Sequence, residues 1–165
     1  MATTMENLAE AFAGESQANR KYLAFAQQAD KDGFKQVAKL FRAAAEAETI
    51  HAHGHLKAMD GVKSTEENLE AAIAGETFEY KNMYPAMLEQ AEKDNHPAKR
   101  MFKWAMETEE IHANFYQMAL AAVKAGRDLA DEVYLCPLCG HLEFKNPPAN
   151  CPVCGVPADK YVLIG

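Results

Sequence analysis

Apolar residues recur at helical spacing through four long stretches of the chain and then stop doing so. The stretches at about residues 4–30, 34–59, 65–94 and 98–124 place apolar side chains three and four positions apart, which predicts four amphipathic helices. Their ends are marked as well. Thr3 with Glu6, and Ser64 or Thr65 with Glu67, are spaced for capping boxes, while Gly61 and Gly126 stand where the second and fourth helices should stop. Asn95, His96 and Pro97 separate the third helix from the fourth. Beyond Tyr134 no helical period survives, and five of the seven prolines lie there.

The four helices are two copies of one hairpin. AGESQANRKYLAFAQQADKD and LFRAAAEAETIHA reappear as AGETFEYKNMYPAMLEQAEKD and MFKWAMETEEIHA, so Glu15, Glu48 and His51 return 61 residues later as Glu76, Glu109 and His112. The offset grows to 62 at Gln28/Gln90 and Asp32/Asp94, so one residue is inserted between Glu79 and Gln90, beside Pro85. A π-bulge accommodates such an insertion, and both irregularities predict a helix distorted close to Glu76.

Projection at 100° per residue aims Glu15, then Glu48 with His51, then Glu76 with Glu79, and finally Glu109 with His112 into the apolar faces of the four helices. Phe25, Val37 and Met87 fall on these faces, and no Lys or Arg does. An unpaired buried carboxylate costs several kcal/mol or neutralises, so a shared cation is implied. Residues three apart on a helix are neighbours, which lets each Glu-x-x-His reach one metal. A Glu from each of two helices plus Glu-x-x-His from the other two is the dimetal carboxylate pattern, and its mixed oxygen and imidazole donors suit iron or manganese. Glu79 breaks the symmetry, because its counterpart is Ala18. His55 reads as a packed neighbour of the site, and His53, His96 and His141 as surface or loop residues.

All four cysteines lie in the last 30 residues, as Cys136-x-x-Cys139 and Cys151-x-x-Cys154. This predicts one tetrathiolate site binding iron or zinc, which spacing does not separate. A unit of that size cannot bury a sufficient core, so the metal must hold it together.

Composition narrows the picture further. A net charge of -7 with no basic cluster argues against nucleic acid or an anionic membrane as partner. No apolar run is long enough to span a bilayer and the first residues lack the pattern of a signal peptide, so a cytoplasmic protein is expected.

The stretches AGES, AGETFEYKNMYP, the two Glu-x-x-His quartets and the paired CPxCG knuckles together resemble the rubrerythrin family over nearly the whole chain. The resemblance implies a mainly α fold: a ferritin-like four-helix bundle over residues 1–130, built from repeats at about 4–59 and 65–124, followed by a rubredoxin-like domain over 131–165. It implies two irons held by Glu15, Glu48, His51, Glu76, Glu79, Glu109 and His112, and one iron, or zinc in its place, held by Cys136, Cys139, Cys151 and Cys154. In that family the counterparts of Glu79 and His51 exchange as ligands when the site changes redox state. Tyr22 and Tyr84 match family tyrosines that hydrogen-bond the carboxylates; as residues alone they read equally well as core tyrosines.

The activity so implied is peroxidase: hydrogen peroxide is reduced to water with electrons relayed through the tetrathiolate iron, in protection against oxidative stress. The chain contains no nucleotide-binding loop, so the electron donor must be separate, such as rubredoxin or a nicotinamide-dependent reductase. A ferritin-like protein of iron oxidation or storage is the alternative, and a non-enzymatic zinc module is a second.

Assembly follows from a length. In a ferritin-like bundle the second and third helices run parallel, which needs a return of about 30 Å. Residues 60–64 span only about 20 Å when extended. A homodimer that exchanges helical hairpins is therefore expected.

Overall fold

The side chain of Thr3 accepts from the Glu6 backbone N–H at 3.2 Å, and the Glu6 carboxylate accepts from the Thr3 N–H at 2.7 Å. This capping box, worth about 1 kcal/mol, starts α1 (Thr4–Lys31). The structure is a computed structural model and describes residues 2–165. After α1 come α2 (Lys35–Ala58), α3 (Thr65–Phe78), a π-helical turn (Glu79–Met83), α4 (Tyr84–Lys93) and α5 (Ala98–Lys124). Ser64 and Glu67 form the second capping box, at the start of α3. The π turn falls between Glu79 and Gln90, where the repeat offset changes, and there the extra residue is absorbed.

Contacts group the chain into two units, Met1–Lys63 and Ser64–Gly165. The first is the α1–α2 hairpin. Its seam is made of small residues, with Ala26, Ala29, Ala38, Ala45 and Ala52 all buried, so the two backbones approach closely. Asn19 is buried on that seam and donates to the Ala45 carbonyl at 2.6 Å and to Thr49 Oγ1 at 2.8 Å. The turn between the helices closes on Gly33, in the left-handed region at φ +86°, with Phe34 N–H bonded to the Ala29 carbonyl at 2.8 Å.

The second unit begins with the same hairpin. Its seam buries Ala91, Ala105, Thr108 and Ala113. Asn95 takes the place of Gly33 at φ +48°, and His96 N–H bonds to the Ala91 carbonyl at 2.8 Å, the same closure made with the side chain that best tolerates this conformation.

Two expectations are corrected. Gly61 is not the left-handed stop of α2: Asp60 adopts φ +56°, and Gly61 follows it with its N–H on the Leu56 carbonyl. Glycine is needed there for room, because a Cβ would stand 2.5 Å from Leu56 Cδ1 and 3.1 Å from the Leu56 carbonyl oxygen. Phe25, Val37 and Met87 were expected in a core, yet each is more than 40% exposed. A two-helix layer buries only its seam, so residues flanking the seam on the ligand side stay open.

The rest of the second unit is a three-stranded antiparallel sheet of order β2-β1-β3, from β1 (Val133–Leu135), β2 (Leu142–Phe144) and β3 (Val162–Ile164). Tyr134 pairs with Glu143 on one side and Leu163 on the other. This sheet carries the two cysteine knuckles against α5. Trp104 packs on the cysteine cluster, and Phe115 meets Phe144 edge-on with ring centroids 4.6 Å apart. No helix among the described residues is long and apolar enough to cross a membrane.

Candidate metal centres

Each hairpin assembles one metal half-site from its own residues. In the first, donor atoms of Glu15 on α1 and of Glu48 and His51 on α2 all lie within 4.8 Å of one another. In the second, Glu76 on α3 and Glu109 and His112 on α5 do the same. The two share one Glu-to-His spacing. Glu15 Oε1 is 3.9 Å from His51 Nδ1, and Glu76 Oε1 is 3.9 Å from His112 Nδ1. Within each Glu-x-x-His, Nδ1 faces the carboxylate one turn back, at 3.0 Å for Glu48 and 2.6 Å for Glu109. Helical spacing produces that approach, and it converges two carboxylates and an imidazole on one point.

The surroundings differ. His51 is 55% exposed, while His112 is 16% exposed and its Nε2 donates to the Gly140 carbonyl at 2.9 Å. Burial, reinforced by the charge of Glu109, pushes the Glu76 carboxyl up to about 7. Glu15 is also raised, chiefly by its hydrogen bond with the Glu48 side chain. Burial opposes charge on His112, but its bonds to Glu109 and Gly140 prevail and hold it above the usual imidazole range. Carboxylates crowded around an imidazole are the electrostatic signature of a site built for a metal ion.

Glu79 opens the π turn and is half-buried, outside the cluster of Glu76, Glu109 and His112. Its carboxyl is raised by burial and then by Glu109, which places it in the field of the same site. Tyr22 lies among Phe25 and Phe41, and Tyr84 lies 6.3 Å from Phe102. The Tyr84 hydroxyl is raised by burial and then by Glu79, Glu109 and Glu76. Tyr116 was not singled out in sequence and is held up in the same way, by burial and then by Glu76 and Glu109. It is the repeat mate of His55, whose field reaches Glu15, so the signal was present in the alignment of the halves.

The knuckles are two copies of one loop. Gly140 N–H bonds to the Cys136 carbonyl and Gly155 N–H to that of Cys151, at 3.0 and 2.9 Å, and both glycines are left-handed, at φ +91° and +78°. That is why each motif reads CPxCG. All four cysteines are free thiols, with Cys136 Sγ 3.6 Å from Cys154 Sγ and Cys139 Sγ 3.6 Å from Cys151 Sγ. A tetrahedron with metal–sulfur bonds of 2.3 Å has edges of about 3.8 Å, so the cage has the size of one metal ion. His141 was expected at the surface but is buried, and its Nδ1 lies 2.9 Å from the Tyr161 hydroxyl. Its carbonyl accepts from the Cys136 N–H at 2.8 Å.

Fold and donor sets together define a ferritin-like dimetal carboxylate protein with an attached rubredoxin-like tetrathiolate module, and the donors at both places fit iron. The family model described as rubrerythrin matches residues 6–120, and that of the rubrerythrin rubredoxin-like domain matches residues 134–162. The chain is 35% identical to rubrerythrin-2 of Clostridium acetobutylicum, covering 97% of this chain and 96% of the relative. It is 36% identical to nigerythrin of Nitratidesulfovibrio vulgaris, covering 96% and 85%. Among solved structures it matches fully reduced, all-ferrous nigerythrin at a TM-score of 0.59 and 32% identity, over 99% of this chain and 88% of that one. The chain belongs to the rubrerythrin family.

Proposed function

We propose that the chain is a peroxidase that reduces hydrogen peroxide to two water molecules, consuming two electrons and two protons. The observation that carries this reading is the presence, in one chain, of two matched carboxylate–imidazole half-sites and a four-thiolate cage. Two irons held at the first would supply the two-electron chemistry, and an iron held by the four thiolates would supply single-electron transfer. An iron-storage protein has no use for that cage, which is why storage is the weaker reading.

In this reading Glu15, Glu48, Glu76, Glu109 and His112 hold the metal pair throughout, and Cys136, Cys139, Cys151 and Cys154 hold the single iron. Glu79 and His51 alternate at one metal position: Glu79 sits in the π turn beside the site, and the His51 ring is the more exposed of the two imidazoles. Tyr22 and Tyr84 orient carboxylates through their hydroxyls. The helical region runs to about residue 130 and the rubredoxin-like region from 131 to 165. Electrons come from a separate donor, rubredoxin or a nicotinamide-dependent reductase, in the cytoplasm.

We infer further that the active form is a homodimer in which each dimetal site joins the α1–α2 hairpin of one chain to the α3–α5 hairpin of the other. Residues 59–64 between α2 and α3 reach about 20 Å, and the capping box at Ser64 keeps the start of α3 wound.

Aerobically purified protein tests the activity. Ferric-thiolate colour that bleaches with reductant and returns stoichiometrically with peroxide supports it. A colourless zinc protein, or slow accumulation of many irons per chain with no peroxide response, refutes it.

A further inference from the structure

Among the differences between the two halves of the repeat, one is a contact behind the histidine. His112 is clasped from behind by the Gly140 carbonyl, 2.9 Å from Nε2, whereas among the described residues His51 pairs with Glu48 and Glu15. A carbonyl only accepts, so Nε2 must carry the proton and Nδ1 is the nitrogen left to face Glu76 and Glu109. The direction of that carbonyl is in turn fixed by the knuckle. Gly140 is left-handed, its N–H is tied to the Cys136 carbonyl, and the Cys136 N–H is tied to the carbonyl of His141. On the other side, a Cβ on Gly140 would lie 4.0 Å from Oγ1 of Thr108, which is buried on α5 one turn before His112. Beside the contact lies an open cleft of about 380 Å³ reaching Tyr84 and Leu138.

We propose that the tetrathiolate knuckle is the support of one metal half-site in the same chain: through the Gly140 carbonyl it sets the tautomer and orientation of His112. Filling the four-cysteine cage thereby raises the metal affinity of the Glu76–Glu109–His112 half-site and leaves that of Glu15–Glu48–His51 unchanged. His112 is the ligand, and Gly140 is a positioning residue. The physical step is the loss of restraint when the cage is empty. The knuckle loops have no core besides the cysteines and their few neighbours, so without metal the ring of backbone bonds that aims the carbonyl is free to open. Removing such a carbonyl partner from a metal-bound histidine weakens metal binding about 10- to 100-fold. By reciprocity, metal in the half-site tightens the cage by the same factor.

The inference rests on the metal-site assignment behind the proposed function and not on peroxide chemistry, so its test contains no peroxide. The full chain with zinc in the cage is compared with the variant Cys136→Ser, Cys139→Ser, Cys151→Ser, Cys154→Ser by manganese(II) titration. Manganese is used because it favours oxygen and imidazole donors over thiolate. Of the two manganese sites, one is expected to weaken about 10- to 100-fold and the other to stay within about twofold. Nitrogen NMR of labelled histidine, without manganese, should show a slowly exchanging His112 Nε2–H in the zinc-filled chain, lost in the variant, with His51 alike in both. Gly140→Ala retains every cysteine but strains a φ of +91°, and should shift the His112 signal and weaken the same manganese site while zinc stays bound. An unchanged His112 tautomer with the cage empty, or equal weakening of both manganese sites while the helical circular dichroism is preserved, overturns the proposal.

Discussion

Glu76 Oε1 lies 3.9 Å from His112 Nδ1, and burial with the neighbouring charge of Glu109 lifts the Glu76 carboxyl to about 7 from an ordinary 4.5. In metal-free protein this makes Glu76 a pH-dependent liability. Below about pH 4.5 the group is protonated in folded and unfolded chains alike and contributes nothing. Between 4.5 and 7 the folded chain keeps a proton that the unfolded chain has released, so stability falls as pH rises, and above 7 the whole penalty stands. After allowance for solvent screening the loss is about 1 to 2 kcal/mol. Urea unfolding of the metal-free chain should show this decline between pH 4.5 and 8, and Glu76→Gln should remove that share of it. Parallel curves for the two proteins would contradict the assignment.

Glu79 is the carboxylate that the repeat does not require, since Ala18 stands at its counterpart. Glu79→Ala is expected to retain metal within about twofold yet lower peroxide turnover by about 10- to 100-fold. Metal analysis beside steady-state rates checks it. Collapse of metal content with normal turnover per remaining metal would show that Glu79 is an ordinary ligand.

Loss of the cage separates supply from chemistry. Cys139→Ala or Cys154→Ala should abolish turnover driven by a reductase, while a chemically reduced sample, saturated with metal, still consumes one equivalent of peroxide per dimetal site. Stopped-flow mixing decides it, and failure of the single turnover under saturating metal would assign the small module a structural role only.

Hairpin exchange makes a stoichiometric prediction. A chain with Glu15→Ala and Glu48→Ala, refolded with a chain carrying Glu76→Ala and Glu109→Ala, gains one intact and one empty site per mixed dimer if hairpins are exchanged. Turnover should then reach about half the wild-type value per mixed dimer. Bundles closed within each chain would give every site a broken half, and the mixture would stay inactive.

Duplication made much of this structure readable in advance. Both capping boxes, four helical periods and the π turn were legible because the two halves could be laid on each other, and the 61-to-62 change in offset located the inserted residue. The clusters of Glu15, Glu48 and His51 and of Glu76, Glu109 and His112 were likewise visible, since i,i+3 spacing dictates proximity within a helix. What escaped was tertiary. Asp60 takes the left-handed position after α2, and the burial of His141 and the packing of Trp104 depend on where the knuckles dock on α5. Periodicity carries no information about such contacts.

The π turn has a mechanical meaning for the hairpin that contains it. On its far side the side-chain clasps Gln28–Asp32 and Gln90–Asp94 are alike, at 2.8 and 2.9 Å, and on its near side Glu15 and Glu76 are alike in their distance to histidine. The added residue therefore changes neither end of the hairpin. It is spare chain length stored in a single turn, at the level of Glu79, the carboxylate that the first hairpin lacks. If Glu79 exchanges as proposed, this spare turn is where the helix would give, with Glu76 left in place. The second hairpin thus departs from the first by a substitution, Glu79 for Ala18, and by one inserted residue just beyond it, while the frame on either side is unaltered.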